Sequence, residues 1–91
     1  MRTTNQKSRS FVQKLQPFQA NNLAGKREGG FYVVYSYGWY PLFAFHFESG
    51  KWFQNADRYS VSTSKQTTQC HPHAETVSIS HASMKDLLQG R

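Results

Sequence analysis

Between Phe31 and Phe53 the chain carries eleven aromatic residues, and their runs alternate with a period of two. A helix would scatter such positions around its circumference, whereas a strand sends them to one face. In Phe31–Tyr37 the residues Phe31, Val33, Tyr35 and Tyr37 share one face, and Tyr32, Val34 and Ser36 share the other. Gly38-Trp39 suits a tight turn, and Pro41, which has no N–H to give a ladder, opens the next strand. There Phe43, Phe45 and Phe47 alternate against Leu42, Ala44 and His46. Glu48-Ser-Gly-Lys51 closes a hairpin, and Trp52 and Phe53 begin a return strand that ends at Asn55-Ala-Asp57. The pattern predicts an antiparallel meander.

The flanks add little sheet. Residues 1–10 are polar and basic and read as a flexible arm, which leaves 11–91 as a single α+β domain. Phe11, Val12 and Leu15 suit one helical turn that Pro17 stops. Phe18–Leu23 is an edge-strand candidate, and Gly25–Gly30 reads as a loop with Lys26 and Arg27 at its tip. Val77–Ile79 is a short strand candidate. Ser80 or Ser83 can cap a final helix with Met84, Leu87 and Leu88 on one stripe, ended by Gly90. The expected fold is a three- to four-stranded antiparallel meander with a C-terminal helix on one face and a basic N-terminal segment.

Charge is unevenly spread. Residues 1–27 hold six bases and no acid, whereas 28–91 hold five of each, so the whole net charge of +6 resides in the first part. Such a segment attracts phosphate by counterion release. The single cysteine, Cys70, excludes an intrachain disulfide and suits a reducing compartment. The richest apolar stretch, Phe31–Phe47, is broken by Ser36, Gly38 and Pro41, so neither a membrane span nor a membrane partner is expected. The cytoplasm of a bacterial host is the expected location.

Catalytic patterns are thin. Cys70-His-Pro-His73 with His81 groups residues that can bind zinc or pair as thiol and base. Structural zinc prefers paired ligands on two knuckles, and adjacent Cys70 and His71 would diverge on an extended chain. No Gly-rich turn offers an oxyanion site beside the thiol. Glu48, Asp57, Glu75 and Asp86 read as solvated surface acids, and no Gly motif cradles phosphate. The chain is read as non-enzymatic, with no cofactor, metal or small-molecule substrate.

Binding patterns are richer. Lys14, Lys26, Arg27, Arg58 and Lys65 are candidates for phosphate or an acidic surface. Tyr37, Trp39 and Tyr40 crowd a hairpin tip where burying three rings is hard, which makes them candidate anchors. Positions 60–69 hold eight Ser, Thr or Gln residues, and Ser62, Ser64, Gln66 and Gln69 are candidate polar contacts to sugar, phosphate or a protein rim.

Four segments carry a likeness to known proteins: Phe18-Gln-Ala-Asn-Asn-Leu23, Tyr32-Val-Val-Tyr-Ser-Tyr-Gly38, Trp52-Phe-Gln-Asn55 and Tyr59-Ser-Val-Ser-Thr-Ser-Lys-Gln66. Together they resemble a family of small, mostly uncharacterised proteins of bacteriophages and mobile elements, over about residues 11–88. Family members often have histidine where this chain has Gln66. By analogy the chain also looks like a type I-F anti-CRISPR protein. That resemblance implies a stoichiometric inhibitor of an RNA-guided surveillance complex, one that touches Cas proteins and the guide-RNA backbone and blocks target DNA. The alternative is a free-standing protein that binds RNA or single-stranded DNA.

Overall fold

The computed structural model describes residues 2–57, 70–72 and 74–89. Six strands form one sheet in sequence order: β1 (Phe18–Gln19), β2 (Leu23–Glu28), β3 (Phe31–Ser36), β4 (Tyr40–His46), β5 (Lys51–Asn55) and β6 (Thr76–Ile79). Neighbours are antiparallel through β5, and β6 lies parallel to β5. The expected three- to four-stranded, wholly antiparallel meander is therefore corrected to six strands with one parallel edge. A parallel neighbour requires a crossover, which the long connection between Asn55 and Thr76 supplies.

The extra strand on the N-terminal side is β2, where a loop was expected. Lys26 pairs opposite Val33 and Arg27 opposite Tyr32, and the turn is reduced to Gly29-Gly30. The glycine at 25 serves close packing instead of a turn. A Cβ there would overlap the Tyr32 hydroxyl and lie 2.5 Å from the Phe18 ring. Charged side chains survive on this strand because both residues are exposed and their charged heads lie over aromatic faces. Lys26 Nζ sits 5.2 Å from the Tyr35 ring centre, and the Arg27 guanidinium 4.5 Å from that of Phe47.

Both faces of the sheet are closed. On one, Phe18, Leu23, Tyr32, Val34, Phe43 and Trp52 form a core that also takes in Val12 and Cys70. Val12 comes from helix α1 (Ser8–Gln13). On the other, Phe31, Val33 and Ala44 pack with Met84 and Leu88 of helix α2 (His81–Gln89). Helix thus covers sheet on two sides, where the sequence led us to expect one. Between Val34 and Tyr35 the β3–β4 register slips: Val34 faces Phe43 but Tyr35 faces Pro41, leaving Leu42 as an extra residue. The bulge brings Leu42 into the same core as Phe43, although strict alternation would separate them.

The N-terminal stretch carries structure before Phe11. Arg2 bridges Gln19 at the sheet edge, a 3-10 turn spans Asn5–Lys7, and α1 begins at Ser8. The helix ends in a Schellman motif, with Gln16 N–H donating to the Phe11 carbonyl at 2.9 Å and Leu15 N–H to that of Val12 at 3.1 Å. Leu15 holds the left-handed position at φ 56°, and Pro17 prevents the helix from resuming. The Tyr32 hydroxyl donates to the Gln16 carbonyl at 2.7 Å, tying this stop to the middle of the sheet. No described helix is long and apolar enough to cross a membrane.

Candidate functional site

The β3–β4 turn holds Tyr37, Gly38 and Trp39, closed by Trp39 N–H donating to the Ser36 carbonyl at 3.2 Å. Tyr37 and Gly38 both have positive φ, 55° and 80°. Glycine accepts this freely, whereas a tyrosine there adopts a conformation that turns usually give to Asn, Asp or Gly. Tyr37 is 49% exposed and Trp39 54% exposed. The expectation of aromatic rings presented at this tip holds for those two residues.

It fails for Tyr40, which is only 5% exposed. Its ring stacks on His81 at 4.5 Å and 11°, its hydroxyl donates to the Asp57 carbonyl at 3.3 Å, and Trp39 meets it edge-on at 5.4 Å. Tyr40 is a strut beneath Trp39, and its ring is not presented at the surface. His81 reaches it from α2, a juxtaposition that local sequence does not encode.

Beneath this strut lies a buried polar knot. Asn55 Nδ2 donates to the Pro41 carbonyl at 2.8 Å and lies 3.0 Å from His81 Nδ1, while Asn55 Oδ1 accepts from Asp57 N–H at 3.0 Å. Since the amide nitrogen is the donor, His81 Nδ1 is the acceptor and the imidazole proton resides on Nε2. Asp57 Oδ2 accepts from His81 N–H at 2.9 Å at the start of α2, where negative charge is favourable. Among the described residues, every buried side-chain nitrogen and oxygen has a hydrogen-bond partner.

A hollow of about 340 Å³ opens beside Tyr37, lined by Gln19, Asn21, Asn22, Leu23, Tyr37 and Gly38 among others. Its frame is fixed by Tyr37 N–H donating to the Asn22 carbonyl at 2.9 Å and by Asn5 Nδ2 donating to Asn22 Oδ1. Thr3 N–H donates to the Gln19 carbonyl at 2.8 Å, holding the N-terminal segment to β1. Sequence reasoning missed Gln19, Asn21 and Asn22 because they read as part of a strand and its turn. Their meeting with Tyr37 follows from the β2–β3 register, in which Leu23 pairs with Ser36.

Among the described residues, the basic candidates Lys14, Lys26 and Arg27 do not form one patch. Lys14 is exposed at the end of α1, and Lys26 and Arg27 face opposite sides of the sheet. Lys26 is paired with Glu28 Oε1 at 3.3 Å. The candidates Arg58, Ser62, Ser64, Lys65, Gln66 and Gln69 lie outside the described residues.

Cys70 is fully buried under α1. Arg9 Nε donates to the His71 carbonyl at 2.9 Å and Gln13 Nε2 to that of Pro72 at 3.1 Å, which pins the segment down. The His71 ring meets Phe43 edge-on at 5.3 Å. Burial pushes the Cys70 thiol up to about 12, with its backbone hydrogen bond and Arg9 acting weakly in the opposite direction. A nucleophilic thiol needs the reverse shift. Among the described residues, no group of three or more His, Cys, Asp and Glu side chains is placed to hold a metal ion.

No known protein family, curated protein or solved structure matches this chain.

Proposed function

We propose that this protein is a non-catalytic binding protein that acts by occupying a partner's surface, with the Tyr37–Trp39 hairpin as its anchor. The observation that carries this reading is the exposure of two large rings, 49% and 54%, on a sheet closed on both faces. Tyr and Trp dominate interface hot spots because they bury much apolar area for little loss of side-chain freedom. Tyr40 holds Trp39 from below, so the anchor is presented on a rigid base. The inert setting of Cys70 supports the non-catalytic reading.

The partner we propose, by analogy with small basic anti-CRISPR proteins, is the RNA-guided surveillance complex of a type I-F CRISPR system, blocked from engaging target DNA in the cytoplasm of a bacterial host. Excess positive charge in residues 1–27 suits contact with the guide-RNA backbone beside the protein contact. The test is capture of the complex from lysate on the tagged protein, with and without nuclease. Recovery of Cas subunits that survives nuclease supports inhibition through a protein interface. Recovery of nucleic acid alone, lost on nuclease treatment, replaces it with a free-standing RNA- or single-stranded-DNA-binding protein.

A further inference from the structure

We infer that the hollow beside Tyr37 binds one unpaired nucleotide, with its base stacked on the Tyr37 ring, its edge met by the carboxamides of Gln19 and Asn21, and its phosphate near Arg2. The inference rests on reading Tyr37 as a binding residue, but not on the identity of any protein partner. Its size fits: the volume of about 340 Å³ falls at the lower end of small-ligand pockets, roughly 300–1,000 Å³.

Its chemistry is that of a base site. An aromatic ring supplies a face for any base, and carboxamides offer a donor and an acceptor side by side, the pairing that matches a base edge. Asn22 is committed to the frame through Asn5, which leaves Gln19 and Asn21, both exposed, to meet a ligand. Three more observations narrow the ligand. Among the described residues no carboxylate lines the hollow, and none occurs anywhere in residues 1–27, so the chain segments that frame the hollow carry no charge that repels a phosphate. Arg2, exposed and bridged through its backbone to Gln19, brings a cation to the strand that supplies one wall of the hollow, which a neutral sugar would not use. Finally, Tyr37 occupies a backbone conformation in which tyrosine is uncommon, so the ring is retained at that turn against local preference.

The experiment is fluorescence anisotropy on the isolated protein with labelled single strands of about eight nucleotides, in the RNA and DNA series of each base. Uridine and adenosine monophosphates serve as competitors. Tyr37→Phe keeps the ring and is expected to bind within about twofold of the parent, whereas Tyr37→Asn suits the positive φ, removes the ring and is expected to bind at least about tenfold more weakly. Gln19→Ala and Asn21→Ala should flatten the preference among bases, and Arg2→Ala should lower the salt dependence by about one phosphate contact. Displacement by mononucleotide marks a site for the nucleotide itself, and Tyr37-dependent binding of strands alone marks a strand-reading site. Either pattern supports the inference. Absence of binding at low salt, or binding indifferent to base and to Tyr37→Asn, overturns it. Capture of the surveillance complex without oligonucleotide binding would remove this site and leave the inhibitor reading intact, and the reverse result would do the opposite.

Discussion

Lys26 and Arg27 are neighbours in sequence, yet they stand on opposite faces of the sheet, Lys26 across from Val33 and Arg27 across from Tyr32. One flat partner cannot neutralise both. Lys26 is already paired with Glu28, while Arg27 lies over Phe47 on the aromatic face.

The two residues are therefore expected to respond differently to charge removal. Lys26→Ala should leave partner affinity nearly unchanged and lower stability by less than Arg27→Ala does. Its exposed ion pair contributes about 0–1 kcal/mol, and its contact with the Tyr35 ring, at 5.2 Å, is longer than the 4.5 Å of Arg27 over Phe47. Arg27→Ala should lower stability by roughly 0.5–1 kcal/mol through the lost contact with Phe47, and should account for most of the affinity lost by the double variant. Guanidinium titration and affinity measurement on the two single variants and the double variant check this. Equal losses for the two single variants would restore the idea of one basic tip.

Gly25 is expected to tolerate no side chain. Its missing Cβ is where the Tyr32 hydroxyl and the Phe18 ring sit, and Tyr32 is held in place by its bond to the Gln16 carbonyl. Gly25→Ala should destabilise the fold by about 1–3 kcal/mol, the usual effect of overpacking a filled core. Gly30→Ala, where a Cβ would meet nothing within 4 Å, is the control and should unfold close to the parent's denaturant midpoint.

These cases mark what the sequence made legible. The strands from Phe31 to Asn55 were readable because aromatic and β-branched residues alternate along them, and the one break in that alternation, the bulge at Leu42, is short. Strand β2 was not, because Gly25 and a charged run imitate a turn, and only Tyr32 and Phe18, brought from elsewhere, show why a glycine is needed. The parallel setting of β6 was illegible because strand direction depends on the crossover and not on Thr76–Ile79 itself. At the candidate site, exposure of Tyr37 and Trp39 followed from the turn, whereas burial of Tyr40 depended on His81, and the carboxamide hollow depended on register.

The knot around Asn55 is expected to be stabilising as a unit. Asn55→Ala removes a bond to the Pro41 carbonyl in a buried place, together with the partly buried bonds to His81 Nδ1 and Asp57 N–H. A loss of about 2–4 kcal/mol is expected, at roughly 1–3 kcal/mol for each buried group left unpaired, offset where water enters. His81→Ala should remove less, and the double variant should lose less than the sum, since both act through one network. Thermal unfolding of the four proteins completes the cycle.

Alkaline pH should unfold this protein by a definite route. The Cys70 thiol is raised from its ordinary 9.0 to about 12 by burial, and the Tyr32 phenol is raised from 10.0, first by burial and then by the nearby Cys70. Above about pH 9 the unfolded chain releases the thiol proton while the folded chain keeps it, so stability falls by up to about 1.4 kcal/mol per pH unit for that group. Tyr32 adds the same sign above about pH 10, and neither contributes below pH 9. Denaturant midpoints measured across this range should fall, and Cys70→Ala should remove about one proton from the slope. At neutral pH a thiol reagent should label Cys70 only as fast as the fold opens.

Trp39 and Tyr40 are adjacent, but binding and stability should divide between them. Trp39 is 54% exposed and meets Tyr40 edge-on at 5.4 Å, so Trp39→Ala should change stability by less than about 1 kcal/mol. If the hairpin is the anchor, the same substitution should weaken partner binding by about thirtyfold or more, the effect of losing a hot-spot ring. Tyr40→Ala empties a buried site against His81 and should destabilise by roughly 3–5 kcal/mol. Tyr40→Phe keeps the stack and loses the bond to the Asp57 carbonyl, for about 1 kcal/mol, and should retain binding. Calorimetry and binding measured on the same preparations separate the two effects. Full affinity in Trp39→Ala would move the anchor away from this hairpin, whereas lost affinity in Tyr40→Phe would return Tyr40 to the binding surface.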